Sequence, residues 1–427
     1  MSNSRRSFLK KLSVGSAAVA GLFNNFGAGI QNSVANQKLN SAPSDLKIKK
    51  ISAAFCTESQ RRMFLKIETN QGITGYGEGT DAVVGGYYLA KELGGQIVGK
   101  NPLDVYRLFE DIRKYNGANV FSGAQAGTFV GILSAIEIAL WDLTGKALGL
   151  PVYRLIGGRF RDSVHVYTHP EVNNAPPAEI AASCLEAKNK GYDAIKIIVD
   201  YSIYRNTGVK SDYYNPTVSN KEIDQIVKTI GAARDAVGPE MAIMVEMHTR
   251  YDVPSAIRIV KVLEQFNPTW IEEPVPAENM DALREITEST NIPICVGENL
   301  YLGYQFQQLL EKRAADIIMP DIQKCGGIGE GQRIAGIANL HYVPFAPHMV
   351  SSPYGMMATA HLCAAVPNFY MMETYQPALT TGWAGIMENS PVIEKSYLKV
   401  SDKPGIGLNL IEDGIRKYAT PGIPFFV

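Results

Sequence analysis

The hydrophobic pattern of the first third of the chain predicts a small sheet followed by helices. From residue 46 to residue 79 apolar and polar positions alternate as in β-strands, and Asn-Gln-Gly at 70–72 predicts a hairpin turn. The segments 86–118 and 127–149 then carry apolar residues at helical spacing. Together they predict a separate α+β unit over residues 46–160.

Beyond residue 160 short apolar runs alternate with amphipathic segments. The runs that qualify as strands are 163–169, 194–200, 242–248, 270–274, 292–298, 316–320, 342–348 and 369–374. Eight strands separated by helices predict a closed, modified (β/α)8 TIM barrel over residues 161–390. The α+β unit would then be a capping domain, with residues 391–427 packing back on it. An open doubly wound sheet is the alternative, but no GxGxxG nucleotide fingerprint follows a strand.

Charge and cysteine content narrow the functional classes. The formal net charge is −1 and the pI is about 6.6, so the chain has no basic field to concentrate nucleic acid. The five cysteines are far apart and form no CxxC pair, which favours scattered buried thiols over disulfides or a zinc site.

The N-terminus has the composition of a targeting segment. Ser-Arg-Arg-Ser-Phe-Leu-Lys-Lys at 4–11 precedes a run of small apolar residues, and it resembles a twin-arginine export signal. We expect residues 1–35 to be that signal and the mature protein to be periplasmic; an amphipathic N-terminus or a lipid-anchored tail is the alternative. No later run approaches the ~20 apolar residues of a membrane span.

A titratable residue recurs at the end of successive predicted strands. These residues are Glu246, Glu272, Glu298, Asp321, His348 and Glu373, each 23 to 27 positions after the one before. In a (β/α)8 barrel the carboxyl ends of all strands meet at one mouth, so these side chains should converge there.

The three glutamates of this series favour a metal site. Neighbouring strands lie about 5 Å apart, so three inward carboxylates would repel each other unless a cation lay between them. Oxygen ligands suit Mg²⁺, with Mn²⁺ as an alternative. The competing interpretation is that Glu246, Glu272 and Glu298 are surface acids or partners of lysines.

Several motifs together resemble one known family. Trp-Ile-Glu-Glu-Pro at 270–274, Cys-Val-Gly-Glu-Asn at 295–299, residues 320–328, residues 344–353 and the glutamate of 371–374 resemble the mandelate racemase-like branch of the enolase superfamily. The resemblance runs from about residue 46 to the C-terminus. It implies that Glu246, Glu272 and Glu298 are Mg²⁺ ligands, although the family more often has aspartate at the first position.

The resemblance also implies catalytic roles. His348 and Asp321 match a His-Asp dyad in which the carboxylate orients the imidazole to remove a proton next to a carboxylate. Glu373 matches an acid that hydrogen-bonds the substrate carboxylate. Racemases of this branch carry Lys-x-Lys on the second strand; here Lys196 is present, but Ile198 replaces the second lysine, which disfavours a two-base racemase.

The pair Glu246 and His248 resembles the acid-x-His pattern of acid-sugar dehydratases, in particular the galactonate and mannonate types. In a strand, residues two apart point to the same face, so both could face the mouth. The implied reaction is removal of the C2 proton by His348 and protonation of the departing 3-hydroxyl by His248, which yields a 2-keto-3-deoxy acid. His248 could instead be a fourth metal ligand or a hydrogen-bond donor to substrate.

Other candidates bear on substrate binding. Arg250, Tyr167 and His169 could contact a sugar acid, as could Arg61 and Arg62 beside the hairpin. The loop at 201–220 is either a decoration or part of the mouth, and the glycines of the hairpin (72, 75, 77 and 79) suggest a lid.

We therefore expect a homo-oligomeric dehydratase that acts on a small-molecule sugar acid. The rivals are an epimerase or cycloisomerase that uses the same enediolate, and a non-catalytic sugar-acid binding protein.

Overall fold

The structure is a computed structural model of the 427-residue chain. It describes residues 40–57, 61–81, 83–114, 126–172, 175–200, 214–374 and 383–427. The predicted export signal and residues 201–213 of the predicted loop lie outside these ranges.

The N-terminal unit opens with the predicted antiparallel sheet. It consists of β1 (Ile48–Cys56), β2 (Arg62–Thr69) and β3 (Thr74–Thr80) in the order β1-β2-β3. The predicted turn joins β2 to β3, and its Gly72 has a φ of 79°, a left-handed conformation that glycine adopts without strain.

Helices follow as α1 (Gly86–Gly95), α2 (Val105–Arg113), α3 (Gly127–Leu148) and the short α4 (Val152–Leu155). The segment 86–118, predicted to be helical, holds two helices, α1 and α2, because the chain turns at Asn101-Pro102, where the Asn101 side chain accepts a bond from the Leu103 N–H. Residues 115–118 lie outside the described ranges. Helix α3 ends where predicted, at Gly149 with a φ of 70°.

The glycines of β3 pack against α3. A Cβ atom on Gly75 would lie 2.3 Å from the carbonyl oxygen of Ala139, and one on Gly77 would lie 1.9 Å from that of Ala135. Glycine at these positions is therefore explained by the close approach of the strand to the helix backbone.

The barrel strands occupy the predicted order but are shorter. They are β4 (Ser163–Tyr167), β5 (Ala194–Ile198), β6 (Ala242–Glu246), β7 (Trp270–Glu272), β8 (Ile294–Val296), β9 (Ile317–Ile318) and β10 (Met372–Glu373). The intervening helices are α5 (Pro177–Asn189), α6 (Asn220–Val237), α7 (Val253–Leu263), α8 (Met280–Ser289), α9 (Leu302–Glu311), α10 (Ile328–Leu340) and α11 (Pro353–Ala365).

The barrel closes through parallel pairing. Strands β5 to β9 form one parallel sheet, and β10 pairs with β4. Single bridges complete the ring, from Thr168 to Ile195 and from Phe345 to both Ile318 and Phe369. The predicted strand at 342–348 thus contributes only Phe345. The predicted modified (β/α)8 barrel with an N-terminal capping unit is confirmed.

The C-terminal residues contact both units. The hairpin of β11 (Ile393–Glu394) and β12 (Tyr397–Lys399) adds to β4 of the barrel. Helix α12 (Glu412–Arg416) and the residues after it lie against the capping sheet, where Lys66 pairs with Glu412 at 2.8 Å and the Phe426 N–H bonds to the Ala53 carbonyl.

Helix α3 is long and apolar enough to cross a membrane, contrary to the expectation that no later run would be. In the fold it is a core helix, since 83% of its most apolar stretch is buried. The five cysteines are buried and free, as predicted.

Candidate active site

An inner layer of apolar side chains fills the barrel and sets the position of the polar residues above it. The layer consists of Tyr167, Ala194, Met244, Trp270, Cys295, Ile317, Met319, Ala346 and Met371. Because strand side chains alternate, the residue two positions later on each strand points into the barrel one level closer to the mouth. Those residues are His169, Lys196, Glu246, Glu272, Asp321, His348 and Glu373.

Glu298 is the exception to this alternation. The residue two positions after Cys295 is Gly297, whose φ is 147° and where a Cβ atom would lie 2.7 Å from the ring of Phe306. Glu298 therefore enters the site from the loop after β8.

Lys196 lies at the centre of a group of buried carboxylates. Its Nζ is 2.5 Å from Glu272, 2.6 Å from Glu373 and 3.3 Å from Glu246. Burial alone would lower the pKa of Lys196, but the charges of Glu272 and Glu373 outweigh burial and raise it well above its usual value. The lysine is thus a fixed cation that offsets part of the negative charge.

His348 and Asp321 form the predicted dyad geometry. Nδ1 of His348 is 2.8 Å from Asp321 Oδ2, and Nε2 is 2.7 Å from Glu298 Oε2. Burial lowers the pKa of His348, but Glu298, Glu373 and Asp321 outweigh it and raise the pKa well above its usual value. The negative charges of Glu298 and Glu373 therefore favour the protonated form of the His348 imidazole.

Glu373 joins the lysine to a second histidine. Its Oε1 is 2.6 Å from His169 Nε2 as well as from Lys196 Nζ. Burial raises the pKa of Glu373, but Lys196 and His348 outweigh it and lower the pKa well below its usual value. His169, predicted as a substrate contact, is buried, and its Nε2 holds this carboxylate in place.

His248 is positioned by a turn and not by strand alternation. Strand β6 ends at Glu246, and His248 and Thr249 have φ values of 46° and 55°. The prediction of a strand through residue 248 is wrong because Glu246 Oε1 accepts the His248 N–H at 2.6 Å, which closes a turn. The side chain nevertheless points to solvent at the mouth, where 43% of it is exposed.

Asp200 is a site residue that the sequence analysis missed. Its Oδ2 lies 2.8 Å from Nδ1 of His248, so the barrel carries a second His-Asp pair. Asp200 is buried and lies two positions after Ile198, at the end of the run that carries Lys196. That inward spacing, 196, 198, 200, was a signal that could have identified it.

The remaining residues predicted to bind substrate lie below the site, after β6 and beside the capping sheet. Tyr167 belongs to the inner apolar layer, is fully buried and packs edge-on against Trp270 below Lys196, so it supports the site from beneath. Arg250 lies over the ring of Tyr251. Burial raises the pKa of Asp252, but hydrogen bonds from Ser255 and Thr217, with a smaller contribution from the charge of Arg250, outweigh it and lower the pKa. Arg62 is buried beside Glu78, and Arg61 is exposed.

The residues present suit a divalent cation by their chemistry. Glu246 and Glu272 are register partners on adjacent strands, and burial together with the charge of Glu246 raises the pKa of Glu272 well above its usual value. A cation would relieve that repulsion, and buried carboxylates alone suit Mg²⁺. Among the described residues no three metal-binding side chains already surround one point, and Glu298 contacts His348 at 2.7 Å.

Fold and site together define a class of protein. A capped barrel with a His-Asp dyad, a buried lysine and a carboxylate set at its mouth has the groups of an enzyme that uses general acid–base chemistry.

Comparison with known proteins gives the family. Residues 179–414 match the family described as "Enolase C-terminal domain-like". Residues 35–157 match the family described as "Mandelate racemase / muconate lactonizing enzyme, N-terminal domain". The chain belongs to this family of the enolase superfamily, which confirms the resemblance.

Two relatives of similar sequence are named as dehydratases. A D-xylonate dehydratase of Haloferax volcanii is 36% identical over 85% of this chain and 87% of its own length. A D-galactonate dehydratase of Klebsiella pneumoniae is 31% identical over 83% of this chain and 90% of its own length. The predicted enzyme class, a hydro-lyase, agrees with these names.

Solved structures agree with the fold. A mandelate racemase/muconate lactonizing enzyme-like protein from Rubrobacter xylanophilus, 38% identical, superposes with a TM-score of 0.83 over 91% of this chain and all of its own. An enolase-superfamily member from Salmonella Typhimurium, 28% identical, gives 0.81 over 87% and 98%.

Proposed function

We propose that this protein is an exported, Mg²⁺-dependent dehydratase that converts a sugar acid to its 2-keto-3-deoxy acid. The observation that carries the proposal is the presence of two His-Asp pairs at one mouth, His348 with Asp321 and His248 with Asp200. A dehydration needs one group to accept the C2 proton and another to protonate the departing 3-hydroxyl, and a pair serves each task.

His348 is the base. Asp321 bonds to Nδ1, which leaves Nε2 as the atom that receives the proton. Nε2 now contacts Glu298, so the imidazole can accept a proton only when the charge of Glu298 is neutralised. His348 can therefore act as a base only when a positive charge neutralises Glu298.

His248 is the acid. Asp200 bonds to its Nδ1, so Nε2 faces the substrate, and the exposed side chain is the one that can reach a hydroxyl at C3. His248 follows the third barrel strand and His348 the seventh, so the two groups approach the substrate from opposite sides of the mouth.

Lys196 and Glu373 form the floor between them. Lys196 supplies a permanent positive charge near the carbon that loses its proton, and Glu373 fixes the lysine from the other side.

Glu246, Glu272 and Glu298 would hold the ion. When bound, Mg²⁺ supplies positive charge that stabilises the negative charge developing on the substrate carboxylate. The remaining catalytic tasks fall to the side chains above.

The test is a screen of the purified protein, with Mg²⁺, against a library of aldonic and uronic-derived acids that includes xylonate and galactonate. We expect at least one acid to give a semicarbazide-reactive product whose mass is lower by one water, and the His348→Asn variant to give none. Exchange of the C2 proton without loss of water from any acid would contradict the proposal and favour an epimerase or cycloisomerase.

Export and assembly are separate proposals. The paired Arg5 and Arg6 support twin-arginine export, which predicts that the double variant Arg5→Lys/Arg6→Lys is absent from the periplasmic fraction.

We also propose that the protein is a homo-oligomer. Light scattering should give a multiple of the chain mass, and a monomeric mass would refute this proposal.

A further inference from the structure

Two buried carboxylates of the capping domain bond to the backbone of the barrel. Glu137 of α3 accepts the N–H of Ile328 at 2.8 Å on one oxygen and that of Gly329 at 2.7 Å on the other, besides the indole N–H of Trp141 at 2.6 Å. Both backbone donors belong to the first turn of α10. The first turn of a helix leaves N–H groups unsatisfied and carries a partial positive charge, so a carboxylate from another domain serves as its cap.

Glu78 of β3 likewise caps the next helix, α11. It accepts the N–H and the hydroxyl of Ser352 at 2.8 and 2.5 Å and the N–H of Gly355 at 3.0 Å, all at the start of α11. Its side chain is fully buried, and Arg62 lies 3.7 Å away as its counter-charge.

These two helices directly follow the dyad. We call residues 321–327, which lead from Asp321 into α10, the Asp321 segment, and residues 348–352, which lead from His348 into α11, the His348 segment. Each segment has a second bond to the capping domain. The Gly326 N–H donates to the hydroxyl of Ser134 at 2.8 Å, and Arg62 donates to the carbonyl of Val350.

The fit at α10 depends on this carboxylate. Helix α10 begins after Gly327, which has a φ of 92° and no side chain with which to cap the helix. A Cβ atom at Gly327 would lie 2.1 Å from Glu137 Oε2, so glycine is what allows the carboxylate to approach. The Asp321 segment is also joined to the first turn of α11, since the Gln323 amide donates to the Gly355 carbonyl at 3.1 Å.

We infer that Glu78 and Glu137 are positioning residues for the reaction, which couple the seating of the capping domain to the geometry of His348 and Asp321. This inference rests on the proposed function, in which His348 removes the C2 proton. A shift of the two segments would misplace the base relative to the substrate carbon, and a displacement of about 1 Å costs roughly 100-fold in rate.

The test replaces each carboxylate by its amide. In Glu137→Gln and Glu78→Gln an NH₂ group takes the place of an oxygen that accepts a backbone N–H, which leaves two donors facing each other. We expect kcat, and the rate of C2 proton exchange in D₂O, to fall roughly 10- to 100-fold, with KM changed by less than about threefold. Ser134→Ala, which removes the separate bond from the Gly326 N–H to the capping domain, is a milder change and should give a smaller fall of the same kind.

The matched control is Glu222→Gln. Glu222 caps α6 by accepting the Ser219 N–H at 2.7 Å, so it is also a carboxylate cap on a barrel helix, but its helix follows β5 and not the dyad. A loss of activity equal to that of the other two variants would overturn the inference, because it would show a general effect of cap removal.

A second measurement does not depend on activity. Backbone amide hydrogen exchange followed by mass spectrometry should be faster in the Asp321 and His348 segments of the first two variants and unchanged there in Glu222→Gln. If the wild-type protein turns over no sugar acid, the proposed function fails, and unchanged exchange in both segments separately refutes the coupling.

Discussion

At the scale of the residue, the pairing of Asp200 with His248 separates the two halves of the proposed reaction. Asp200 contacts Nδ1 of His248, the proposed acid. Asp200→Asn should therefore lower the dehydration rate roughly 100-fold, because an amide no longer fixes the tautomer of the imidazole. Exchange of the C2 proton, which needs only His348, should stay within a few-fold of the wild-type rate. Equal loss of both rates would show that Asp200 does not act through His248.

A second histidine bears on stability. His361 is fully buried in α11, where Nδ1 accepts the Tyr153 N–H at 3.3 Å and Nε2 donates to the Ile406 carbonyl at 3.1 Å. Burial lowers the pKa of His361 to about 4, below the value of about 6.5 in the unfolded chain. The unfolded state therefore takes up the proton first, so the stabilisation is complete above pH 6.5 and is lost as the pH falls towards 4.

We expect this group to account for about 3 kcal/mol of the free energy of unfolding between these two pH values. Urea unfolding of His361→Gln, measured from pH 4 to pH 7, should show a correspondingly flatter dependence than the wild type. His341→Gln, at the exposed end of α10, is the control and should keep the wild-type slope. An unaltered slope in His361→Gln would refute the assignment.

At the scale of the element, strand β3 and helix α3 are joined through glycines. Gly77→Ala places a methyl group 1.9 Å from the Ala135 carbonyl oxygen. The two atoms would overlap, so the backbone must shift to separate them. We expect a loss of about 3 kcal/mol in the free energy of unfolding, measured by denaturant titration. Gly336→Ala, on the exposed face of α10 with no atom within 4 Å, should instead gain about 0.5–1 kcal/mol. A Gly77→Ala variant as stable as the wild type would show that the two elements can separate freely.

The elements also show where sequence periodicity stops being informative. Alternation correctly placed Lys196, Glu272 and His348 at one level of the barrel, because the inward face of every strand has the same period. It failed at His248, where a side-chain to backbone bond from Glu246 ends the strand and turns the chain. The spacing 196, 198, 200 could have placed Asp200 on the inward face, but its pairing with His248 could not be predicted, because a contact between two strand ends depends on the closed ring.

At the scale of the whole molecule, the site concentrates negative charge inside a closed barrel. Five carboxylates surround Lys196 and His348, and most of them are fully buried. They are Glu246, Glu272, Glu298, Asp321 and Glu373. Charges held together in this way oppose folding unless they are compensated. Binding of Mg²⁺ at the proposed site should therefore also stabilise the fold.

Binding to the folded state alone raises the free energy of unfolding by mass action, by about 2.7 kcal/mol at a concentration 100 times the Kd. The midpoint of thermal unfolding should accordingly rise with Mg²⁺ concentration in protein first treated with a chelator, and Na⁺ at equal ionic strength should have little effect. Glu298→Gln should weaken this response, because it removes one of the three carboxylates. Gln substitution at Glu311, an exposed glutamate at the end of α9, is the control and should leave the response intact. A midpoint that does not move with Mg²⁺ in the wild-type protein would contradict the metal site, whatever the activity assay shows.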